Sequence, residues 1–353
     1  MRVNQWVPAA HAGDAIGDSS RRMRDLLRAM GHESEIFALT IDDELRHEIV
    51  PFSDAASRQG DVTIFHYALP SPMSAAFGAL PHGRVLQYHN VTPARFFAGY
   101  APSLFRLASI ARHELAALAP ASELALGDSE YNRQELAELG FANTGVLPIA
   151  VNTERLTNAP PHPVLEDILD DGLVNFLFVG RIAPNKMIED HIRLAEQYKR
   201  YVDAYYRFIF VGRYDVVPQY YATIRALLSE YKMLEDRFIF TGPVPDVELA
   251  AYYRASSVYV SLSEHEGFCV PLVEAMAMDV PILAYGAAAV PDTLGGAGVQ
   301  FAPKDLEYAA ELLGMLAFDE SPREEVLAGQ RKRLGDFGDA VIQQRLASVI
   351  SAF

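Results

Sequence analysis

Residues 258–277 read VYVSLSEHEGFCVPLVEAMA: an apolar run, a polar loop with a glycine, and a second apolar run that follows a proline. The first run predicts a buried strand over Val258–Leu262. The second predicts a helix that begins at Pro271, where the missing N–H of proline costs nothing. The start of such a helix turns backbone amides and the positive end of the helix dipole toward the loop, which favours phosphate. Glu266 in the loop and Glu274 in the helix are then expected to face one ligand.

The same alternation of short β-rich runs and longer helical patterns extends along the chain. In the first half it predicts strands at Val3–Val7, Glu35–Leu39, Val62–His66, Arg84–His89 and Leu124–Gly127. The proline-containing stretch Val151–Gly172 is predicted to be a linker. Beyond it the predicted strands are Val174–Val179, Phe208–Val211, Phe238–Thr241, Val258–Leu262 and Pro281–Tyr285. The expected fold class is therefore α/β, with two Rossmann-like parallel-sheet domains facing each other across a ligand cleft.

Composition excludes several classes of protein. The formal net charge of −16 argues against a nucleic-acid-binding protein that works by neutralising phosphates. The single cysteine, Cys269, excludes an internal disulfide and a metal site built from several cysteines. No apolar run approaches the roughly 18 residues of a membrane span. Residues 1–7 lack the basic-then-apolar plan of a signal peptide, so the expected location is the cytoplasm.

Positive charge is concentrated in the first predicted helix, Ser19–Met30. This helix carries Arg21, Arg22, Arg24 and Arg28. Two interpretations stay open at this point. The arginines form a solvated helix face, or they form a patch that docks on an anionic lipid or a lipid-linked diphosphate.

A second segment with residues suited to chemistry reads FVGRIAPNK at positions 178–186. The predicted strand ends at Gly180, and two cations, Arg181 and Lys186, follow on the loop before the next helix. Arginine offers phosphate oxygens a planar fork, and lysine offers them a point charge. Fixed cations of this kind stabilise the negative charge that grows on a leaving phosphate, much as an oxyanion hole does.

The segment from Glu266 to Ala277 resembles the Glu-x7-Glu motif of the family-4 retaining glycosyltransferases, which have the GT-B fold. In that family the first glutamate contacts the transferred sugar, and the second binds the ribose hydroxyls of the donor. The resemblance assigns these roles to Glu266 and Glu274. Backbone amides between the two bind sugar and phosphate, which implies donor binding by Gly267, Phe268, Cys269, Val270, Pro271 and Leu272. The segment 180–186 resembles the family's diphosphate-binding loop, so Arg181 and Lys186 are expected to hold the donor diphosphate.

His89, within the run His89-Asn-Val-Thr-Pro93, follows a predicted strand of the first half. It resembles the family's histidine that faces the donor sugar and the leaving phosphate. This makes His89 the fourth catalytic candidate, beside the two cations and the first glutamate.

Two weaker segments agree with the resemblance. Gly13 and Gly17 open the first helix, where backbone amides can approach a phosphate. The family's common form has adjacent glycines there, so the spacing departs from it. Residues 241–246 resemble the loop that flanks the nucleotide base, and Val244 is the donor-binding candidate in that loop.

The resemblance covers almost the whole chain and is strongest to bacterial polysaccharide-assembly members such as mannosyltransferases. It implies a retaining enzyme that moves a hexose from GDP-mannose or a UDP-sugar to a glycan or a polyprenyl-diphosphate-linked saccharide. The sugar nucleotide is a substrate, so no cofactor is expected. No two aspartates lie two residues apart, so no metal site is expected either. Contact with the inner face of the membrane stays open.

The resemblance also implies the domain plan. Residues 1–155 form the acceptor domain, residues 156–335 form the nucleotide-sugar donor domain, and the C-terminal helix 336–353 packs back on the first. Apolar residues on one face of that helix support the last point: Val341, Ile342, Leu346, Val349 and Ile350.

Two alternatives to a transferase share this architecture. One is a sugar-nucleotide 2-epimerase, and the other is a non-catalytic subunit that binds a sugar nucleotide. A glycosidase would also need two carboxylates at the scissile bond, but it would not need cations on a phosphate-facing loop.

Overall fold

The structure is a computed structural model that describes residues 1–11, 13–233 and 235–353. The chain forms two compact units. The first unit contains Met1–Arg95, Ser103–Asn152 and Asp336–Phe353, and the second contains Phe96–Pro102 and Thr153–Gly335. The sequence placed the boundary at 155/156 and assigned all of residues 96–102 to the first domain. The observed division differs at both points.

Over the described residues, the first unit is built on a parallel sheet. Its strands are β1 (Val3–Ala10), β2 (Ile36–Ile41), β3 (Val50–Pro51), β4 (Val62–Tyr67), β5 (Gly83–Tyr88), β6 (Leu124–Gly127) and β7 (Thr144–Val146). The spatial order is β3-β2-β1-β4-β5-β6-β7. The sequence missed β3 and β7, because strands of two and three residues are too short to show a period.

Helices cover this sheet. They are α1 (Ala15–Ala29), α2 (Met73–Gly78), α3 (Pro102–Ala117), whose first residue lies in the second unit, and α4 (Glu130–Glu138). The helix α1 begins four residues before its predicted start, because Asp14 caps it and accepts a hydrogen bond from the amide of Gly17. The C-terminal helix, Asp339–Ile350, also belongs to this unit and packs on α1.

The core between these two helices and the sheet explains why the C-terminal segment returns to the first unit. Apolar side chains of both helices share one buried cluster with strand residues: Met23, Leu26, Leu27, Ile342, Leu346, Val349, Ile350, Val62 and Ile64. Burial of this apolar surface is the main stabilising contribution of the C-terminal helix.

The second unit repeats the plan. Its described strands are β8 (Val174–Val179), β9 (Tyr206–Val211), β10 (Phe238–Gly242), β11 (Val258–Ser261), β12 (Ile282–Tyr285) and β13 (Val299–Phe301), in the order β10-β9-β8-β11-β12-β13. All of these neighbours pair in parallel. The sequence missed β13, a three-residue edge strand. The predicted fold class, two Rossmann-like parallel-sheet domains, is confirmed.

The helices of the second unit include two inside the stretch that was predicted to be a linker. These are α5 (Glu154–Thr157) and α6 (Pro163–Leu169), and both pack on α9 (Asp246–Arg254). The remaining helices are α7 (Ile188–Tyr201), α8 (Pro218–Glu230), α9 (Asp246–Arg254), α10 (Val270–Ala277), α11 (Val290–Leu294), α12 (Leu306–Phe318) and α13 (Glu320–Leu334), and the C-terminal helix is α14. In the part of the chain that the structure describes, no helix combines the length and apolarity needed to span a membrane.

Candidate functional site

The strand order of the second unit defines a switch point between β8 and β11. These strands are neighbours, yet the chain leaves them toward opposite edges of the sheet, and ligands of open α/β sheets bind beyond the carboxyl ends of such a pair. The loops that follow β8 and β11 carry the two motifs found in the sequence. Asn185 joins the loops, because its side-chain nitrogen donates to the carbonyl of His265 (3.0 Å) and its carbonyl accepts from the amide of Glu264 (2.9 Å).

Lys186 and Glu266 form the centre of this arrangement. The Nζ of Lys186 lies 2.6 Å from each carboxylate oxygen of Glu266, and the two side chains are 16% and 8% exposed. An ion pair at this depth needs good geometry to offset the loss of hydration, and the bidentate contact supplies it. The structure therefore brings two of the four predicted catalytic residues into direct contact.

Arg181 lies on the same loop as Lys186 but differs from it in exposure. It follows Gly180, whose φ of +152° is accessible to glycine, and its side chain faces solvent. Among the described residues, Arg181 makes no hydrogen bond and no ion pair, whereas Lys186 forms an ion pair with Glu266. Arg181 is thus a cation of this loop whose charge no described carboxylate balances.

The start of α10 differs from its prediction by one residue. The helix begins at Val270 and not at Pro271, because Cys269 adopts φ +70° and ends the loop. Pro271 still lies in the first turn, where helix amides have no partner within the helix, so its missing N–H breaks no helical hydrogen bond. The amide of Leu272 donates to the carbonyl of Cys269 (3.0 Å). That predicted donor-binding amide is therefore already used inside the protein.

The remaining residues of the donor loop differ in burial. Phe268 and Leu272 are buried, and Gly267, Val270 and Pro271 are half-buried. Burial, followed by the negative charge of Glu266, raises the pKa of the Cys269 thiol well above its ordinary value. The thiol is consequently a poor nucleophile.

Glu274 is deeply buried, with 3% of the residue exposed. One carboxylate oxygen accepts from the hydroxyl of Tyr253 (2.9 Å), and the other accepts from the guanidinium of Arg155, which also pairs with Asp246. Burial raises the pKa of Glu274, and Arg155 is the largest influence that opposes this rise. Val244 is half-buried, and its loop leads directly into Asp246. Because Arg155 pairs with both Asp246 and Glu274, this loop lies near Glu274 in space.

Sequence reasoning missed Arg155 and Tyr253. Arg155 lies in the predicted linker, 119 residues before Glu274, and no local motif marks it. Tyr253 lies on an apolar helix and has the pattern of a core residue. The motif identified the carboxylate but not the residues that hold it.

In the first unit, His89 is part of a buried chain of hydrogen bonds at the carboxyl ends of the strands. Its Nδ1 lies 2.9 Å from Asp128 Oδ2, and its Nε2 lies 2.8 Å from Nδ1 of His66. The chain ends where Nε2 of His66 lies 2.9 Å from the side-chain oxygen of Gln5. Burial, followed by the charge of His89, lowers the pKa of His66 well below its ordinary value.

Directions within this chain follow from which groups can donate. The Gln5 side-chain nitrogen donates to a backbone carbonyl, so its oxygen accepts from His66, and His66 in turn accepts from His89. Both ring nitrogens of His89 therefore have partners inside the unit, and its side chain is 2% exposed. The contact of His89 with a donor sugar stays a prediction. His66, Asp128 and Gln5 were not found by sequence, because no motif links them.

The glycines that open α1 have different environments. Gly13 is exposed with φ +72°, a conformation that suits glycine. The amide of Gly17 donates to Asp14 at 3.2 Å, so the helix cap uses the hydrogen that was expected to meet a phosphate.

The arginines of α1 form no unpaired patch, and three of them, Arg21, Arg22 and Arg28, are partly solvated with side chains 31%, 28% and 44% exposed. Arg24 is buried, with a side chain 7% exposed. Each guanidinium pairs with carboxylates of the first unit: Arg21 with Asp18 and Glu48, Arg22 with Asp339, Arg24 with Asp25 and Glu48, and Arg28 with Glu35. These pairs remove the excess of positive charge on which the lipid-docking interpretation rested.

For metal ions, the described residues contain no group of three or more His, Cys, Asp or Glu side chains with suitable placement. Lys186, Glu266 and Arg181 are charged groups at the switch point of the second unit, and Glu264 of the same loop pairs with Lys304. Together the first three can bind an anion and a polyhydroxylated ligand through side chains alone.

Comparison with known proteins agrees with this chemistry. Residues 174–317 match the family model described as Glycosyl transferases group 1. The serotype-specific mannosyltransferase WbdA of Escherichia coli is 29% identical over 157 residues, which is 43% of this chain and 18% of WbdA. The O-antigen chain mannosyltransferase B of Escherichia coli is 26% identical over 213 residues, 58% of this chain and 54% of that protein. The chain therefore spans only part of the length of these curated relatives.

Among solved structures, HepE of Anabaena in complex with UDP and glucose superposes with a TM-score of 0.75 over all of both chains, at 15% identity. At that identity the likeness concerns the fold. From the family match, the relatives and the two parallel sheets, we conclude that residues 174–317 are a group 1 glycosyl transferase domain, in a chain with the two Rossmann-like domains of the GT-B fold.

Proposed function

We propose that this protein is a retaining glycosyltransferase that moves a hexose from a nucleoside-diphosphate sugar to a glycan or a polyprenyl-diphosphate-linked saccharide, without a metal ion. The observation that carries the proposal is the placement of Lys186, Glu266 and Arg181 at the switch point of the second unit. Two cations suit a diphosphate, and a carboxylate beside them suits sugar hydroxyls. The relatives are named mannosyltransferases, which supports GDP-mannose as the donor, with UDP-sugars as the other candidates.

The chemistry follows from charge. As the glycosidic bond of the donor breaks, negative charge grows on the diphosphate, and a fixed cation that contacts it stabilises the transition state more than the ground state. Arg181 is suited to this role, because its guanidinium has no described partner. Lys186 adds a second cation, and its contact with Glu266 fixes both side chains before the donor arrives.

Retention arises either from two successive inversions through a covalent intermediate or from attack on the face from which the diphosphate leaves. We propose the second route. We propose that the leaving phosphate takes the proton of the acceptor hydroxyl, since both groups then lie on one face of the sugar. Glu266 would bind hydroxyls of the transferred sugar, and Glu274 would bind the ribose. By the resemblance, His89 is also a candidate for contact with the donor sugar, and Asp128 and His66 hold its ring in orientation.

The test has two stages. The first is a thermal-shift screen with GDP-mannose, UDP-glucose and ADP-glucose, because a ligand that binds only the folded state raises its stability by mass action. The second is product analysis with the stabilising donor and a lipid-linked saccharide acceptor, in excess chelator.

Transfer with retained anomeric configuration in the presence of chelator is the expected result. Epimerised sugar nucleotide would identify a 2-epimerase, and binding without turnover would identify a non-catalytic subunit. Loss of turnover in chelator with recovery in Mg²⁺ or Mn²⁺ would show that the cations of the loop do not suffice. Sedimentation of the protein with anionic vesicles tests its peripheral contact with the cytoplasmic face of the membrane.

A further inference from the structure

Glu274 pairs with an arginine, Arg155, that lies outside the Glu-x7-Glu motif. The groups around this carboxylate come from several elements: Arg155 on α5, Asp246 and Tyr253 on α9, and Tyr259 on β11. Cys269, before α10, lies near Tyr253 and Tyr259. Among these described groups, Arg155 is the cation. It bridges Glu274 and Asp246, so one guanidinium balances two carboxylates.

A buried carboxylate stays ionised only if something compensates for its lost hydration. Tyr253 does not supply charge, because burial raises its pKa well above the ordinary value and the hydroxyl stays neutral. Asp246 opposes the ionisation of Glu274, because its negative charge raises the pKa of Glu274. The charge of Glu274 therefore depends on Arg155.

The hydrogen-bond count shows what this charge makes available. An ionised carboxylate has about four acceptor positions. Arg155 uses one on Oε1, and Tyr253 uses one on Oε2. The positions that remain can accept hydrogen bonds from a pair of hydroxyls, such as the 2′- and 3′-hydroxyls of a ribose. A protonated Glu274 would lose acceptor capacity and bind such a pair more weakly.

We propose that Arg155 is a positioning residue for the donor nucleotide, which keeps Glu274 ionised and aimed so that Glu274 accepts hydrogen bonds from the ribose hydroxyls. This inference rests on the proposed function, because it assumes a nucleotide ligand. It extends that function to a residue from the start of the second unit, far in sequence from the motif that it supports.

The charge and the fixed direction of the guanidinium both contribute to this role. A lysine at position 155 would keep the charge but lose the planar fork that reaches Glu274 and Asp246 together. A glutamine would keep a hydrogen-bond donor and lose the charge. The two substitutions separate the contributions.

The experiment measures Kd for GDP and UDP by calorimetry between pH 6 and 8.5, in wild-type protein and in Arg155→Met, Arg155→Gln and Arg155→Lys. The nucleotide that binds wild-type protein is then compared with its 2′,3′-dideoxy analogue. Arg254→Met is the matched control, because Arg254 lies on α9 of the same unit and pairs with Glu166, away from Glu274. Melting temperatures accompany every variant.

In Arg155→Met and Arg155→Gln, nucleotide affinity is expected to fall as the pH is lowered, starting at a higher pH than in wild-type protein. The fall approaches about tenfold per pH unit where Glu274 is mostly protonated. The preference for ribose over dideoxyribose is expected to shrink in both variants. Arg155→Lys and Arg254→Met are expected to keep the wild-type pH dependence. The glutamine variant carries the test if the methionine variant is too unstable.

A pH profile and a ribose preference that stay at wild-type values in both neutral variants would overturn the inference and leave the proposed function intact. Wild-type protein that binds neither nucleotide would overturn both. Wild-type protein that binds a nucleotide without preferring ribose over dideoxyribose would overturn the role of Glu274, and with it that of Arg155.

Discussion

The ammonium of Lys186 lies 2.6 Å from both carboxylate oxygens of Glu266, although 80 residues separate the two in sequence. Neither side chain is exposed enough for water to replace its partner. Each residue therefore compensates the charge of the other inside the fold.

Because the two charges are paired inside the fold, we expect a double variant that removes both to be more stable than a single variant that removes only the cation. Lys186→Met leaves the carboxylate of Glu266 buried without a cation, which should destabilise the second unit by about 3–5 kcal/mol. The double variant Lys186→Met/Glu266→Gln has no such charge and should be more stable than Lys186→Met alone. Denaturant unfolding of the wild type, both single variants and the double variant measures the coupling. A double variant that loses the sum of both single losses would show that the pair is not coupled.

For Arg181 we expect a substitution to lower activity and to leave the stability of the protein nearly unchanged. Because no described residue contacts its guanidinium, Arg181→Ala should change the free energy of unfolding by less than about 0.5 kcal/mol. Under saturating donor, its kcat should fall by about 10²–10³-fold, the scale of losing a donor that stabilises transition-state charge. Arg331→Ala is the control, since Arg331 is a half-exposed arginine on α13 that pairs with Asp279. Near-normal kcat in Arg181→Ala would remove its role at the leaving group.

Cys269 predicts slow and ligand-sensitive alkylation. Burial and Glu266 raise the pKa of its thiol, so at pH 8 little thiolate is present and iodoacetamide should react much more slowly than with a free cysteine. Bound nucleoside diphosphate should slow the reaction further, since Cys269 lies in the proposed donor loop. Mass spectrometry with and without saturating GDP or UDP follows the labelling. Equal rates would place Cys269 outside the site.

Because it contains buried neutral histidines, we expect the protein to lose stability in mild acid. The pKa of His191 is lowered to about 4, chiefly by burial, and that of His66 is lowered as well. The unfolded chain therefore takes up protons below about pH 6.5 that the folded chain does not. Stability is full above that pH and falls as the pH drops toward 4, by about 1.4 kcal/mol per pH unit for each such group.

Denaturant unfolding between pH 7.5 and 4.5 measures this slope, and His191→Gln isolates one contribution because glutamine does not titrate. The variant should be less stable than wild type at neutral pH and should lose stability less steeply in acid. Parallel profiles for the two proteins would contradict the buried neutral state of His191.

We expect truncation of a buried side chain of the C-terminal helix to destabilise the core of the first unit. Leu346 is fully buried in the cluster shared with α1, so Leu346→Ala should destabilise the protein by about 2–5 kcal/mol. Gln344→Ala, at an exposed position of the same helix, should have little effect. Thermal melting of both variants makes the comparison. Equal melting temperatures would show that α14 does not contribute to the core.

Local sequence patterns were sufficient for most of the architecture. Runs of four to eight apolar residues predicted the longer strands, and the glycines and prolines at their ends predicted the loops. The three missed strands, β3, β7 and β13, contain two or three residues each and form only because a longer neighbour offers hydrogen-bonding groups. The short helices α5 and α6 were missed for a similar reason, since their stability comes from packing on α9.

The sequence by itself determined the alternation of strands and helices and the positions of Arg181, Lys186, Glu266 and Glu274 on loops and helix starts. Each of these depends on residues close to one another in the chain. Only the tertiary structure decided that Lys186 pairs with Glu266, that Arg155 balances Glu274, and that His66 and Asp128 enclose His89. These contacts join residues between 23 and 119 positions apart, and they depend on which strand ends meet and how deeply each side chain is buried. Burial sets the strength of a charge interaction, and burial is a property of the folded chain.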